Sequence, residues 1–142
     1  MPWWVVLIIA GAVAMDSLIV YALLSSFRAG TWGPMAKKFP PVAPAPGAVR
    51  REFESFSMGL FNLGWCVHVT VDDRHLHLDP AWLLRVAGAE PMSVPWSAVT
   101  LEQRGKRRGF VKAKLGTQAI RGPAWCLSLA DPDAATGERR FR

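Results

Sequence analysis

The sequence predicts a mainly β protein: an N-terminal transmembrane helix followed by a small antiparallel sandwich or open barrel of about seven strands. Three observations carry that prediction. Residues 3–27 are almost wholly apolar, and Asp16 is their one charged side chain. Residues 28–50 are crowded with proline and glycine. From Arg51 to Ala130 apolar residues recur with period two, the mark of half-buried strands. The organisation that follows is a helix over 3–27, a Pro-rich linker over 28–50, a β domain over 51–130 and a polar tail over 131–142.

As a helix, residues 3–27 would span roughly 37 Å, enough to cross a hydrocarbon core of about 30 Å with some tilt. Asp16 costs about 2.5–3.5 kcal/mol at mid-span, but the twelve Val, Ile, Leu and Phe residues from Val5 to Phe27 return roughly 5 kcal/mol. A cleaved signal peptide fits less well. There is no basic n-region, the apolar run is long, and Ser-Ser-Phe-Arg-Ala-Gly is a poor cleavage site. Trp3, Trp4 and the Phe27-Arg28 pair suit the two interfaces. Arg28, Lys37, Lys38, Arg50 and Arg51 follow the span with no acid before Glu52. The positive-inside rule therefore puts the N-terminus outside and the domain in the cytoplasm, as in a single-pass protein of the cell inner membrane. Ala10, Ala14, Ser17 and Tyr21 share a helix face, and Asp16 lies beside it as a candidate contact for a partner helix.

The 142 residues carry a net charge of +6. Outside the span and linker, roughly 90 residues remain, enough for one core without a deep enclosed site. Two cysteines, Cys66 and Cys126, are too few for a disulfide framework and are expected as buried thiols. In the linker, Phe39-Pro-Pro-Val-Ala-Pro-Ala-Pro reads as a polyproline stalk holding the domain off the bilayer. Trp32, Lys37 and Lys38 are expected at the lipid headgroups.

Strands are expected over 51–58, 64–71 and 75–79, then 81–86, 93–103, 110–115 and 124–130. Asp72-Asp73-Arg74 supplies turn chemistry. An even-length loop is needed there to keep Val67, Val69 and Val71 on the face of Leu76 and Leu78. Those five residues, with Trp65, Trp96, Trp125, Leu127 and Leu129, form the expected core. Pro95 assigns its segment to a sheet edge or a strand start.

The run Val67-His-Val-Thr-Val-Asp-Asp-Arg-His-Leu-His-Leu, followed by Met92-Ser-Val-Pro-Trp-Ser-Ala-Val, resembles small bacterial membrane-anchored proteins with a PH-like domain after one N-terminal span. The resemblance covers roughly residues 50–130. It implies a strongly bent seven-stranded sheet, normally closed by a C-terminal helix, for which little chain remains after Ala130. It brings no catalytic residues.

Three constellations stand out. Arg104, Lys106, Arg107, Arg108, Lys112 and Lys114 form a basic hairpin, suited to anionic lipid headgroups or a protein partner. It lacks the interleaved aromatics that nucleic acid would stack on, so no nucleic-acid partner is expected. His68, His75 and His77 share one face of the 64–79 hairpin. A two-residue loop would set His68 opposite His77, a candidate metal-binding face. Cys66 and His68 are neighbours without a third, orienting group, so nucleophilic catalysis is not expected. These features favour a non-enzymatic binding or scaffolding module on the membrane, with no cofactor. The alternatives are a metal-binding protein or metal-dependent enzyme built on the histidine face, and an accessory subunit acting through its transmembrane helix.

Overall fold

The computed structural model describes residues 1–102 and 109–131. Seven antiparallel strands form one nearly closed, barrel-like sheet: β1 (Val49–Met58), β2 (Phe61–Val71), β3 (His75–Pro80), β4 (Met92–Pro95), β5 (Val99–Leu101), β6 (Phe110–Leu115) and β7 (Gln118–Pro123). Their order across the sheet is β4-β3-β2-β1-β7-β6-β5. The apolar faces match as the alternation requires. Val71 pairs with Leu76 and Val69 with Leu78 around an even-length loop, and all four turn inward.

One long helix precedes the sheet. It runs from Trp3 to Lys38, 36 residues, roughly 54 Å at the α-helical rise. It comprises α1 (Trp3–Phe27), a π-helical turn (Arg28–Trp32) and α2 (Gly33–Lys38). The helix does not end at Phe27, and residues 28–38 are not linker. Its first part is long and apolar enough to cross a membrane. Its last part enters the domain: Phe27, Trp32, Met35, Ala36 and Phe39 are all buried in the core. Trp32, expected at the headgroups, is completely buried, and its indole N–H donates to the Glu90 carbonyl at 2.6 Å. Phe27, expected at the interface, packs on Trp32 and Phe61.

The π turn makes this packing possible. Phe27 and Trp32 are five apart, a spacing that diverges on a regular α-helix but aligns when bonds run from i to i+5. The Gly33 amide closes such a bond to the Arg28 carbonyl. A Cβ on Gly33 would stand 2.6 Å from that oxygen, so only glycine fits. Pro34, which has no N–H to give, follows at the start of α2.

Two predicted strands are helical. Residues 81–86 hold the short α3 (Trp82–Val86), and 124–130 hold α4 (Ala124–Leu127) and a 3-10 turn (Ser128–Ala130). The predicted strand over 93–103 is broken by a 3-10 turn (Trp96–Ala98) into β4 and β5, and β7 was not anticipated. α3 and α4 are five and four residues long and each follows a proline-containing strand end, too short for a periodicity to be read. Strand β7 is joined to β6 by the two-residue turn Gly116-Thr117, with Leu115 paired to Gln118 and Gly116 at φ 62°.

Of the expected core, Val67, Val69, Val71, Leu76, Leu78 and Leu127 are buried, and Trp96 and Trp125 pack partly buried against them. Trp65 is 75 % exposed and Leu129 54 % exposed. Paired irregularities in β1 and β2 turn Trp65 outward. Glu52 and Phe53 together face His68, while Gly64 to Cys66 face Ser55. Phe53 and Trp65 take the left-handed backbone conformation, at φ 56° and 53°. Each donates its amide to the side chain opposite: Phe53 to His68 Nδ1 at 3.2 Å, Trp65 to Ser55 Oγ at 3.1 Å. The bulge reverses the alternation at Trp65, which period-two reasoning cannot anticipate.

A chain beginning at residue 51 lacks Phe27, Trp32, Met35 and Phe39. It is expected to give no cooperative thermal transition and no near-UV circular dichroism, whereas the full chain in detergent gives both. Gly122→Ala is expected to destabilise the full chain by about 1–3 kcal/mol in a denaturant melt. Its Cβ would lie 2.5 Å from the fully buried Phe56 ring.

Candidate functional site

The turn between β2 and β3 is organised by Asp72. Its Oδ1 accepts from the amides of Arg74 and His75, at 2.8 and 2.7 Å. Its Oδ2 accepts from the Ala45 amide at 3.1 Å and from His77 Nε2 at 2.8 Å. Burial pushes this carboxyl up. The bonds from His77 and the three amides outweigh burial and hold it well below the usual carboxylate range. The ionised carboxylate can only accept, so His77 donates from Nε2. In its neutral form His77 therefore accepts a hydrogen bond at Nδ1 from the Ser93 hydroxyl, across 2.7 Å. Ser93 Oγ in turn accepts from the Val42 amide at 2.8 Å, and the Phe39 carbonyl accepts from the Ser93 amide at 3.2 Å.

The proline-rich segment is thus no free stalk: residues 39–45 are strapped across the edge strand β4 and over the outer face of β3. This explains why His77, Thr70 and Ser93 are buried although they point out of the barrel. It also covers an edge that would otherwise offer free backbone groups. An Asp, a His and a Ser in series are reminiscent of a nucleophilic triad. Here Ser93 is only 4 % exposed and lies under Val42, so the trio acts as a clasp for the linker.

The structure separates His68 from the other two histidines, whose rings lie 5.6 Å apart. His68 is opposite Asp79, and His77 is opposite Thr70, two residues from the pairing expected. His68 instead serves the β1 bulge and packs edge-on against Phe53, 4.8 Å between centroids. Asp72 takes its place: ligand atoms of Asp72, His75 and His77 lie within 4.8 Å of one another. A metal ion there would have to displace the Asp72–His77 bond, since both oxygens and both His77 nitrogens are already engaged.

Of the basic hairpin, Arg104, Lys106, Arg107 and Arg108 lie outside the described residues. Lys112 and Lys114 share the outer face of β6, and Lys114 pairs with Glu102 at 3.1 Å. Lys112 stands across from Arg121 on β7, and Arg121 across from Ser57 on β1, which faces Asn62 on β2. This row crosses four strands. Beside it a cavity of about 480 Å³ is lined by Ser55, Ser57, Asn62, Trp65, Phe110 and Arg121. Among the described residues neither Arg121 nor Lys112 has a carboxylate partner. Sequence reasoning missed Arg121 and Trp65 as neighbours because β7 and the bulge were unforeseen.

A second hollow, about 220 Å³, lies where α1 meets β2. It is lined by Val20, Leu23, Leu24, Phe27, Phe61 and Leu63, together with Asn62. The four helix residues repeat at i, i+3, i+4 and i+7, one face of α1. Leu60, at the tip of the β1–β2 hairpin, is fully exposed. Asp16 lies on the exposed surface of α1.

Both cysteines are free, Cys126 buried and Cys66 only half-buried. Burial, with help from the Glu54 carboxylate, pushes the Cys126 thiol up to about 12, and burial also raises Cys66. No family model, curated protein or solved structure matches the chain.

Asp72→Asn is expected to lower stability at pH 7 by about 1–3 kcal/mol, because the clasp loses its charged acceptor. The native carboxyl is depressed, so its contribution is full above the unfolded value of about 3.9 and fades as pH falls below it. Melting curves across pH should show the two proteins converging below about pH 4.

Proposed function

We propose that this chain is a bacterial single-pass protein of the cell inner membrane, with its N-terminus outside and its barrel on the cytoplasmic side. On this reading it is a non-enzymatic binding or scaffolding module with a PH-like domain. It works by holding one fixed face of that barrel relative to the bilayer, and its β5–β6 hairpin, which joins the strand ends farther from the helix, offers its cations to anionic lipid or a protein partner.

The observation that carries this reading is the continuity of the helix. One apolar helix long enough to cross a membrane runs without a break into the barrel core. A domain joined in this way cannot drift from the surface as a tethered one does. Each cation on its near side would add about 1 kcal/mol of attraction to an anionic leaflet. Arg28 supports the same boundary. It is the first cation after the span, and its side chain lies against Gly88, whose added Cβ would come within 2.9 Å of it. The polar groups nearest to a catalytic pattern, Asp72, His77 and Ser93, are used up in holding the linker.

The full-length protein is expected to stay in the membrane pellet after alkaline carbonate extraction. A C-terminal epitope should resist protease added to intact cells and be lost once they are opened. Release by carbonate, or digestion in intact cells, would refute the anchor or its orientation respectively.

A further inference from the structure

The hollow between α1 and β2 and the cavity on the outer face of the sheet are not separate features. Asn62 lines both, so one opens beside the other along the β1–β2 hairpin. Their chemistry changes in order. The hollow is apolar, and Val20, Leu23 and Leu24 belong to the helix that crosses the membrane. The cavity has the hydroxyls of Ser55 and Ser57, the Asn62 amide and the Arg121 guanidinium. From one to the other the sequence is hydrocarbon, then amide, then cation, the polarity profile of one bilayer leaflet near its surface. The walls fit the same order: Trp65 and Phe110 are partly exposed aromatics at the polar end, where such rings settle in membranes. Trp65 is held there by a left-handed backbone that an aromatic residue rarely adopts.

From this we infer a single bound phospholipid with an anionic headgroup. One acyl chain lies in the hollow against Leu23, Leu24 and Phe61, and the phosphate sits in the outer-face cavity on Arg121, with Asn62 between. Lys112, across from Arg121, adds a second positive charge. The exposed Leu60 inserts at the hairpin tip beside the chain. This site is distinct from the β5–β6 hairpin, and it rests on the membrane reading given above.

The test uses the full chain in vesicles of phosphatidylcholine and phosphatidylglycerol, with a photoreactive diazirine on the acyl chain of the phosphatidylglycerol. Crosslinked positions are mapped by mass spectrometry. Crosslinks are expected at residues 61–63 as well as at 6–9. Arg121→Ala should reduce the former about fivefold while leaving the latter unchanged, as loss of one cation near the headgroup predicts. Arg121→Lys should restore them. Arg121 is exposed, so neither variant threatens the fold. No crosslink at 6–9 would refute the membrane anchor itself. Crosslinks at 6–9 without any at 61–63 would refute only the lipid site. Crosslinks at 61–63 that ignore Arg121→Ala, or that move equally to phosphatidylcholine carrying the probe, would overturn the assignment of an anionic headgroup.

Discussion

Trp32 is fully buried at the junction of helix and barrel, with Phe27 tilted against it on one side and its indole N–H bonded to the Glu90 carbonyl. Much else depends on that insertion. The end of the helix fills the mouth of the sheet, and Phe27, Met35 and Phe39 complete a core that the strands alone leave open. A barrel of this size has little apolar surface to spare, and a buried aromatic of this kind is commonly worth about 3–5 kcal/mol. The long apolar helix and the closure of the domain are therefore one element. The helix that completes the core comes from the N-terminal side of the sheet.

Insertion has consequences for the segment that follows. Once Phe39 is fixed in the core, the prolines after it have a defined starting point and run over β4. Asp72, His77 and Ser93 then fasten them through the amides of Val42 and Ala45. The clasp uses polar groups that lie on the outer face and that would be solvated if the linker were free. Polar residues that resemble a site in one dimension are here the means of holding an extended strap.

The same geometry sets what the surface can do. Because the helix is rigidly joined, the β1–β2 hairpin and the row Asn62, Ser57, Arg121 and Lys112 hold a constant relation to α1. That surface is held in register with a helix long and apolar enough to cross a membrane.

Alternation in the sequence was enough to establish the strands around Val67 to Leu78, their facing and the place of their turn, because period two and Asx chemistry are local properties; the turn's length, four residues rather than two, was not legible. Length and apolarity likewise determined a helix able to cross a membrane. Tertiary structure alone decided where that helix ends, since the π turn at Arg28–Trp32 is stabilised by what Trp32 meets in the barrel. It also decided that Trp65 faces out, because a bulge leaves no mark in composition yet turns this one residue against the alternation that Leu63 and Val67 keep. The meeting of Arg121 with Asn62, and of Asp72 with Ala45, joins residues far apart in the chain. Such contacts depend on register and closure, which no stretch of sequence specifies by itself.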